Sequence, residues 1–199
     1  MQIVIFVHGS LSDPKTFDKS FISVVKSTLG AEGHVMFAWS GTTDYAAMRA
    51  DAQHFCEFVK SVKARHPFEP IYVVAHSNGG NVATAADQFG APIDLIIRLG
   101  SPLPDPSKFG EYWAPMGNAT VYNFYDPDDL VITRWAVLRG ACPDPGANLW
   151  WEDIVVDAGD SSNFGRRTHS AMKSRQVWET QIAPFLWWVK YLDWREWFR

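Results

Sequence analysis

The chain has 199 residues, of which 47% are hydrophobic, 15% aromatic and 20% charged. This length predicts a single domain over residues 1–199, and the high aromatic content excludes an intrinsically disordered chain. Eighteen basic and 22 acidic residues give a formal net charge of −4, and no run of lysine or arginine stands out, so we do not expect a nucleic-acid partner.

The N-terminal residues, the hydropathy of the chain and the two cysteines indicate the cellular compartment of the protein. Residues 3–7 are apolar but too few for a signal peptide, and no basic segment precedes them. No stretch offers about 20 continuous apolar residues, so we expect no transmembrane helix. Cys56 and Cys142 lie in no metal-binding motif and are interpreted as free thiols of a cytoplasmic protein, although the sequence leaves open whether they pair.

Six short runs rich in β-branched and aromatic residues are predicted to be strands. In chain order they span residues 3–7, 35–39, 71–75, 93–99, 120–125 and 152–156. Their apolar character is mostly continuous rather than alternating, which is typical of strands covered on both faces, as in a parallel sheet.

Amphipathic segments alternate with these runs and are predicted to be helices. They span residues 15–29, 45–65, 81–89 and 170–199. The Asp-Pro pair at 13–14 is typical of a helix cap followed by proline in the first turn. The alternation predicts an α/β fold, a three-layer αβα sandwich with a mostly parallel sheet of about six strands.

The segment around Ser77 has the pattern of a catalytic turn. Residues 75–80, Ala-His-Ser-Asn-Gly-Gly, follow a predicted strand and precede a helix of small residues. This is the arrangement of a nucleophile elbow, G-x-S-x-G, with Ala75 in place of the first glycine. Small residues must flank the serine because its backbone is strained and a neighbouring side chain would clash. The pattern predicts that Ser77 is a nucleophile.

A second motif, His-Gly-Ser at residues 8–10, follows the first predicted strand. Together with the segment around Ser77 and the Gly-Ser-Pro at 100–102, it resembles the α/β-hydrolase superfamily, especially its small lipases and esterases. Because the His-Gly pair follows the very first strand, we expect the two leading strands of the full fold to be absent, and the resemblance then implies a minimal α/β-hydrolase fold. We expect His8 to hold this loop rather than to transfer protons.

The resemblance also implies the partners of the nucleophile. The oxyanion hole is expected to consist of the backbone N–H groups of Ser10 and Asn78. In this family the acid and then the histidine follow the serine along the chain. His169 is the sole histidine downstream of Ser77 and is therefore the expected base.

The acid of the triad is less well defined, because several aspartates follow the fifth strand. The family's acid commonly opens an Asp-x-Leu/Val-Val stretch, which favours Asp128. Asp129, one residue later, is the alternative acid, and Asp126 is the third option. Asp157 and Asp160 are the least favoured candidates. The acid of the triad would fix the tautomer of the histidine and stabilise the imidazolium.

The predicted C-terminal helix is unusually aromatic. It carries Trp178, Trp187, Trp188, Tyr191, Trp194, Trp197 and Phe198. One face is expected to pack on the sheet, and rings that stay exposed would suit a homodimer interface or contact with lipid.

Taken together, these motifs imply a serine hydrolase that cleaves a small-molecule carboxylic ester through an acyl-enzyme, with Ser77, His169 and Asp128 as catalytic residues. A thioesterase or an amidase would use the same triad, and a catalytically silent binding protein is the alternative from another class. No metal-binding or nucleotide-binding motif occurs, so neither a metal nor a cofactor is expected. The acyl and alcohol groups of the substrate are not encoded in any motif.

Overall fold

One sheet forms the centre of the protein. The computed structural model describes residues 2–103, 117–135, 152–158 and 166–196. The strands are β1 (Gln2–Val7), β2 (Ala31–Phe37), β3 (Ile71–His76), β4 (Leu95–Leu99), β5 (Thr120–Tyr125) and β6 (Glu152–Val155). Their order is β2-β1-β3-β4-β5-β6, and every neighbouring pair is parallel. The predicted parallel sheet of about six strands is confirmed for this part of the chain.

Helices cover both faces of the sheet. They are α1 (Lys19–Leu29), α2 (Tyr45–Arg65), α3 (Gly79–Gln88), α4 (Arg166–Ala171) and α5, a continuous stretch made of Arg175–Val177, the π-helical Trp178–Ile182 and Ala183–Glu196. The buried side chains of α2 and α3 share one core with the sheet, and those of α1 and α5 share the other. The predicted three-layer αβα sandwich is therefore confirmed.

Adjacent residues of the central strands enter opposite cores. Val73 belongs to the core that contains Phe55 of α2, whereas Val74 belongs to the core that contains Phe21 of α1. All four side chains are fully buried. Because both faces of β3 are covered, its sequence is apolar at every position from Val73 to Ala75, as the parallel-sheet interpretation requires.

The first helix begins later than its sequence pattern predicts. Asp13 does cap a helical turn, but this turn is a short 3₁₀ segment, Pro14–Thr16. The α-helix starts only after Asp18, whose Oδ1 accepts a hydrogen bond of 2.8 Å from the N–H of Phe21. Two capping aspartates in close succession therefore divide the predicted helix 15–29 into two pieces.

Strand β2 begins earlier than predicted, at Ala31 rather than residue 35. Gly30 ends α1 with a left-handed φ of 67°, which lets the chain reverse and enter the strand at once. Because β2 is at the edge of the sheet, Glu32 and His34 can be exposed within it. These polar residues interrupt the apolar pattern that would otherwise have shown where the strand begins.

The aromatic helix α5 packs on the sheet through only part of its rings. Trp178 is fully buried, and its Nε1–H donates a hydrogen bond of 2.9 Å to Oγ1 of Thr28. Trp187 and Trp188 are 63% and 59% exposed. The side chains of Tyr191 and Trp194, together with residues 197–199, lie outside the described part of the chain. Two exposed rings do not by themselves support either a homodimer or a lipid contact.

Two further expectations concern the thiols and the membrane. Cys56 is a buried free thiol, and its Sγ lies 3.4 Å from the carbonyl oxygen of Phe89. Cys142 lies outside the described residues. Within the ranges that the structure covers, no helix combines the length and the apolar character that a membrane-spanning segment needs.

Candidate active site

Ser77 occupies a strained turn between β3 and α3. Its φ is 54°, and apart from Leu11 it is the one non-glycine residue with positive φ in the described part of the chain. Such a conformation costs about 1–3 kcal/mol and persists only where the surrounding structure holds it. The N–H of Ser77 donates to the carbonyl oxygen of Leu99 at 2.9 Å, and its own carbonyl accepts from the N–H of Gly80 at 2.9 Å. These two bonds fasten the turn on both sides of the serine.

The glycines around Ser77 are required by close approach. A Cβ on Gly9 would lie 2.8 Å from the Cβ of Ser77, and a Cβ on Gly79 would collide with the carbonyl oxygens of Val7 and His8. The first turn of α3 therefore rests directly on the backbone that leaves β1. Larger residues at either position would push the two segments apart.

His169 and Asp129 form a buried pair beside this turn. Nδ1 of His169 lies 2.6 Å from Oδ2 of Asp129, which is fully buried. A carboxylate can only accept, so Nδ1–H is the donor and Nε2 is the nitrogen left free to take a proton. The other oxygen, Oδ1, accepts from the N–H of Val131 at 2.9 Å. His169 itself lies in the last turn of α4, a short helix that begins before the helix predicted over residues 170–199.

The prediction that Asp128 is the carboxylate beside His169 is wrong by one residue. Asp128 is exposed, and its N–H donates to Oδ1 of Asp126 at 2.8 Å. The N–H of Asp129 in turn donates to the carbonyl oxygen of Asp126 at 3.0 Å, which closes a tight turn. This turn directs the side chain of Asp129 into the protein and that of Asp128 into solvent. Oδ2 of Asp126 accepts from the N–H of Ala158 at 2.9 Å, so this third aspartate ties together the segments after β5 and β6.

His76 links the segment that carries Ser77 to the segment that carries His169. Nε2 of His76 lies 3.0 Å from the backbone oxygen of His169, and the two rings are 4.7 Å apart. A backbone carbonyl can only accept, so Nε2 of His76 carries the proton. Gly100, which has a φ of 56°, also lies close to His169. A Cβ at this position would lie only 3.3 Å from Nδ1 of His169, so a glycine here lets the two segments pack closely. The structure thus places the pair of His169 and Asp129 beside His76, the residue that precedes Ser77.

A side-chain hydrogen bond joins Ser10 and Asn78, the two residues whose backbone N–H groups are the expected oxyanion donors. Nδ2 of Asn78 donates to Oγ of Ser10 at 3.0 Å, and Oγ of Ser10 donates to the carbonyl oxygen of Thr42 at 2.6 Å. Among the described residues, the backbone N–H groups of Ser10 and Asn78 donate to no protein acceptor. Asn78 also stands at the N-terminus of α3, where the helix dipole favours negative charge.

His8 bonds to its own loop and to Trp39 in the segment after β2, as expected for a structural residue. Its Nδ1 lies 2.8 Å from the carbonyl oxygen of Gly9, and its Nε2 accepts from the N–H of Trp39 at 3.2 Å. The indole N–H of Trp39 donates to the carbonyl oxygen of His8 at 2.7 Å, and the two rings are stacked. Burial lowers the pKa of His8, in agreement with a neutral ring whose Nε2 is an acceptor. The role of Trp39 has no signal in the sequence, where it only ends an apolar run.

The buried histidines should make the stability of the protein depend on pH. Burial, reinforced by the charges of His169 and Lys173, holds the pKa of His76 well below 6.5. Below pH 6.5 the unfolded chain therefore binds a proton that the folded protein does not, and the free energy of unfolding falls as the pH decreases towards the folded pKa. We expect His76→Gln, which keeps an amide donor for the carbonyl of His169, to flatten this dependence by at most about 1.4 kcal/mol per pH unit.

Urea unfolding of the wild type and of His76→Gln between pH 7.5 and 5 measures this effect. His54→Gln, at an exposed position of α2, is the control and should follow the wild type. Equal slopes for the wild type and His76→Gln would show that His76 already binds its proton in the folded protein.

Comparison with known proteins supports the fold but gives no close relative. No protein-family model matches the chain, and no curated protein matches it in sequence. Among solved structures, a lipase from Bacillus licheniformis is 12% identical, with a TM-score of 0.62 over 93% of this chain and 91% of that one. A protein described as a hydrolase of the α/β superfamily from Xanthomonas campestris is 16% identical (TM-score 0.54, 87% and 96% covered), and a dienelactone hydrolase from Anabaena variabilis is 13% identical (TM-score 0.53, 90% and 86% covered). The chain therefore has the α/β-hydrolase fold.

Proposed function

We propose that this protein is a serine hydrolase that cleaves a small-molecule carboxylic ester through an acyl-enzyme intermediate. The observation that carries the proposal is the buried hydrogen bond between Asp129 and His169 beside a serine held at positive φ. A strained nucleophile turn and an oriented histidine next to it are the two parts that nucleophilic catalysis by serine needs. The α/β-hydrolase fold of the chain, shared with a lipase, is consistent with this chemistry.

In the proposed mechanism, Oγ of Ser77 attacks the carbonyl carbon of the ester while Nε2 of His169 accepts the hydroxyl proton. Asp129 accepts the hydrogen bond from Nδ1–H, which holds the productive tautomer and stabilises the imidazolium. His169 then gives the proton to the departing alkoxide, so that an alcohol leaves and the acyl group stays on Ser77. Water, deprotonated by the same histidine, releases the acid and restores the serine.

The negative charge that develops on the carbonyl oxygen needs donors that are in place before the reaction. We assign this task to the backbone N–H groups of Ser10 and Asn78. Each such donor contributes about 3–4 kcal/mol to the stabilisation of the tetrahedral intermediate. Their support comes from the bond between the two side chains, which holds the loop after β1 against the start of α3.

Labelling with a fluorophosphonate probe tests the proposal against a catalytically silent protein. We expect one equivalent of probe to react, and peptide mass spectrometry to locate it on Ser77, because an activated serine reacts far faster than an ordinary one. Ser170→Ala, which removes an exposed serine next to His169, should label like the wild type. Denatured protein should not label.

A panel of p-nitrophenyl esters, a thioester and an anilide identifies the bond that is cleaved. We expect kcat/KM to be highest for esters, whose alkoxide leaving groups depart more easily than amines. A preference for the thioester or the anilide would move the assignment to a thioesterase or an amidase on the same triad. Absence of both labelling and hydrolysis would refute the proposal and favour a binding protein.

A further inference from the structure

A fully buried arginine lies behind the first turns of α3. Arg98 belongs to β4, which lies next to β3, the strand that ends just before Ser77, and none of its surface is exposed. Its Nη2 donates to Oδ1 of Asn81 at 2.9 Å and to the carbonyl oxygen of Pro102 at 3.2 Å. Its Nη1 lies 3.3 Å from Oγ1 of Thr84. Burying a guanidinium costs stability unless its donors are hydrogen-bonded, as Nη2 is here to Asn81 and the carbonyl of Pro102.

The hydrogen bonds of Arg98 continue, side chain by side chain, to the expected oxyanion hole. Nδ2 of Asn81 lies 3.0 Å from Oδ1 of Asn78, and Nδ2 of Asn78 lies 3.0 Å from Oγ of Ser10. Oγ of Ser10 ends the chain on the carbonyl oxygen of Thr42, at 2.6 Å. A line of side-chain hydrogen bonds from Arg98 to Ser10 thereby connects β4, α3 and the loop after β1.

The arginine fixes the direction of every bond in this line. A guanidinium can only donate, so Oδ1 of Asn81 must face it and the amide nitrogen of Asn81 must point towards Asn78. Asn78 then has to accept with its oxygen and donate with its nitrogen to Ser10. The hydroxyl proton of Ser10 is left for the carbonyl oxygen of Thr42. Neither amide can flip without placing two donors or two acceptors against each other.

We propose that Arg98 is a positioning residue that holds the oxyanion hole in its working geometry through Asn81 and Asn78. The inference rests on the proposed function, because it concerns the donors of that reaction. The N–H groups of Ser10 and Asn78 belong to separate segments, and an oxyanion hole works only when both lie within hydrogen-bond distance of one oxygen. The side-chain bond between Asn78 and Ser10 sets their separation, and Arg98 sets the orientation of Asn78.

Two variants interrupt the line at different places. In Asn81→Asp, the new carboxylate still accepts from Arg98 but cannot donate to Asn78, so two oxygens face each other. In Ser10→Ala, the last link is lost while the backbone N–H of residue 10 and all charges remain. Thr84→Val is the matched control, since it removes a contact of Arg98 that lies outside the line.

Asn81→Asp and Ser10→Ala are each expected to lower kcat for p-nitrophenyl butyrate by about 10- to 100-fold with little change in KM. This loss is smaller than the 10²–10³-fold loss that follows removal of an oxyanion donor, because here the donors are only displaced. Affinity for a boronic acid, whose tetrahedral adduct with serine places an oxygen in the hole, should fall by a similar factor. Thr84→Val should keep the kcat and the boronate affinity of the wild type.

The double variant decides whether the two residues act through one line. If they do, Asn81→Asp combined with Ser10→Ala should be no slower than the slower single variant, because the line can be broken only once. Losses that multiply, or single variants that are folded and as fast as the wild type, would overturn the inference. Thermal unfolding of each protein confirms that it is folded.

The outcome also separates this inference from the proposed function. A wild type that labels at Ser77 and hydrolyses the ester, alongside single variants of equal kcat and boronate affinity, overturns the role of Arg98 alone. A wild type that neither labels nor hydrolyses any ester overturns both.

Discussion

Replacing Ser77 with alanine is expected to lower kcat for ester hydrolysis by roughly six orders of magnitude, the loss seen when one member of a cooperating triad is removed. In the proposed mechanism the hydroxyl forms the acyl-enzyme, so His169 and Asp129 would have nothing to activate once it is absent. Binding of the substrate depends on other contacts, and KM should change far less than kcat. The residual rate should reflect only the oxyanion donors and the positioning of the substrate.

The variant is suited to this test because alanine does not alter the local backbone requirement. Ser77→Ala keeps a Cβ at φ 54°, so its strain should equal that of the wild type. Ser77→Gly removes the hydroxyl and the strain together, since glycine adopts positive φ readily. We expect both variants to be inactive and to remain unlabelled by a fluorophosphonate, with Ser77→Gly unfolding at a temperature no lower than that of Ser77→Ala. A folded Ser77→Ala that retains near wild-type activity would remove Ser77 from the mechanism.

The central strands were predictable because their physical signal is local. A parallel strand with helices on both sides must be apolar on both faces, and residues 71–75 satisfy this at every position except the half-buried Tyr72. The position of Ser77 follows from the same logic, because a turn that passes close to another backbone admits only small neighbours. The glycines after Ser77 agree with this expectation. In the structure, Gly79 packs against the backbone oxygens of Val7 and His8, and Gly80 packs against the side chain of Ser101.

The partner of His169 could not be decided in this way. Asp128 and Asp129 are neighbours with the same chemistry, and a family pattern read one residue out of register selects the wrong one. What separates them is the turn from Asp126, whose hydrogen bonds send consecutive side chains in opposite directions. Such a turn depends on three-dimensional contacts, including the bond from Ala158 to Asp126, which joins residues 32 positions apart.

The line from Arg98 to Ser10 did have a sequence signal that the prediction passed over. A charged residue in an otherwise apolar strand, Ile-Ile-Arg-Leu at 96–99, indicates either an exposed edge or a buried polar network. Because β4 lies in the middle of the sheet, only the second interpretation fits. Its partners, Asn81 and Thr84, are two polar residues among the alanines of α3, on the helix that faces this strand. The sequence could thus have pointed to a network, but not to where it leads.

The charge of Asp129 provides the sharpest remaining test of the site. We expect Asp129→Asn to lower kcat by about 10⁴-fold, because an amide beside Nδ1 can present an N–H, favour the wrong tautomer of His169 and leave the imidazolium without a counter-charge. Asp128→Asn, one residue away and exposed, changes the net charge by the same amount and should reduce kcat by no more than a few-fold. Comparing kcat for one p-nitrophenyl ester in the two variants, both checked for folding, separates the contact from the charge. If Asp128→Asn loses most of its activity while Asp129→Asn stays nearly active, Asp128 is the triad acid. If both variants lose kcat equally, the loss comes from disruption of the turn that begins at Asp126 rather than from either carboxylate alone.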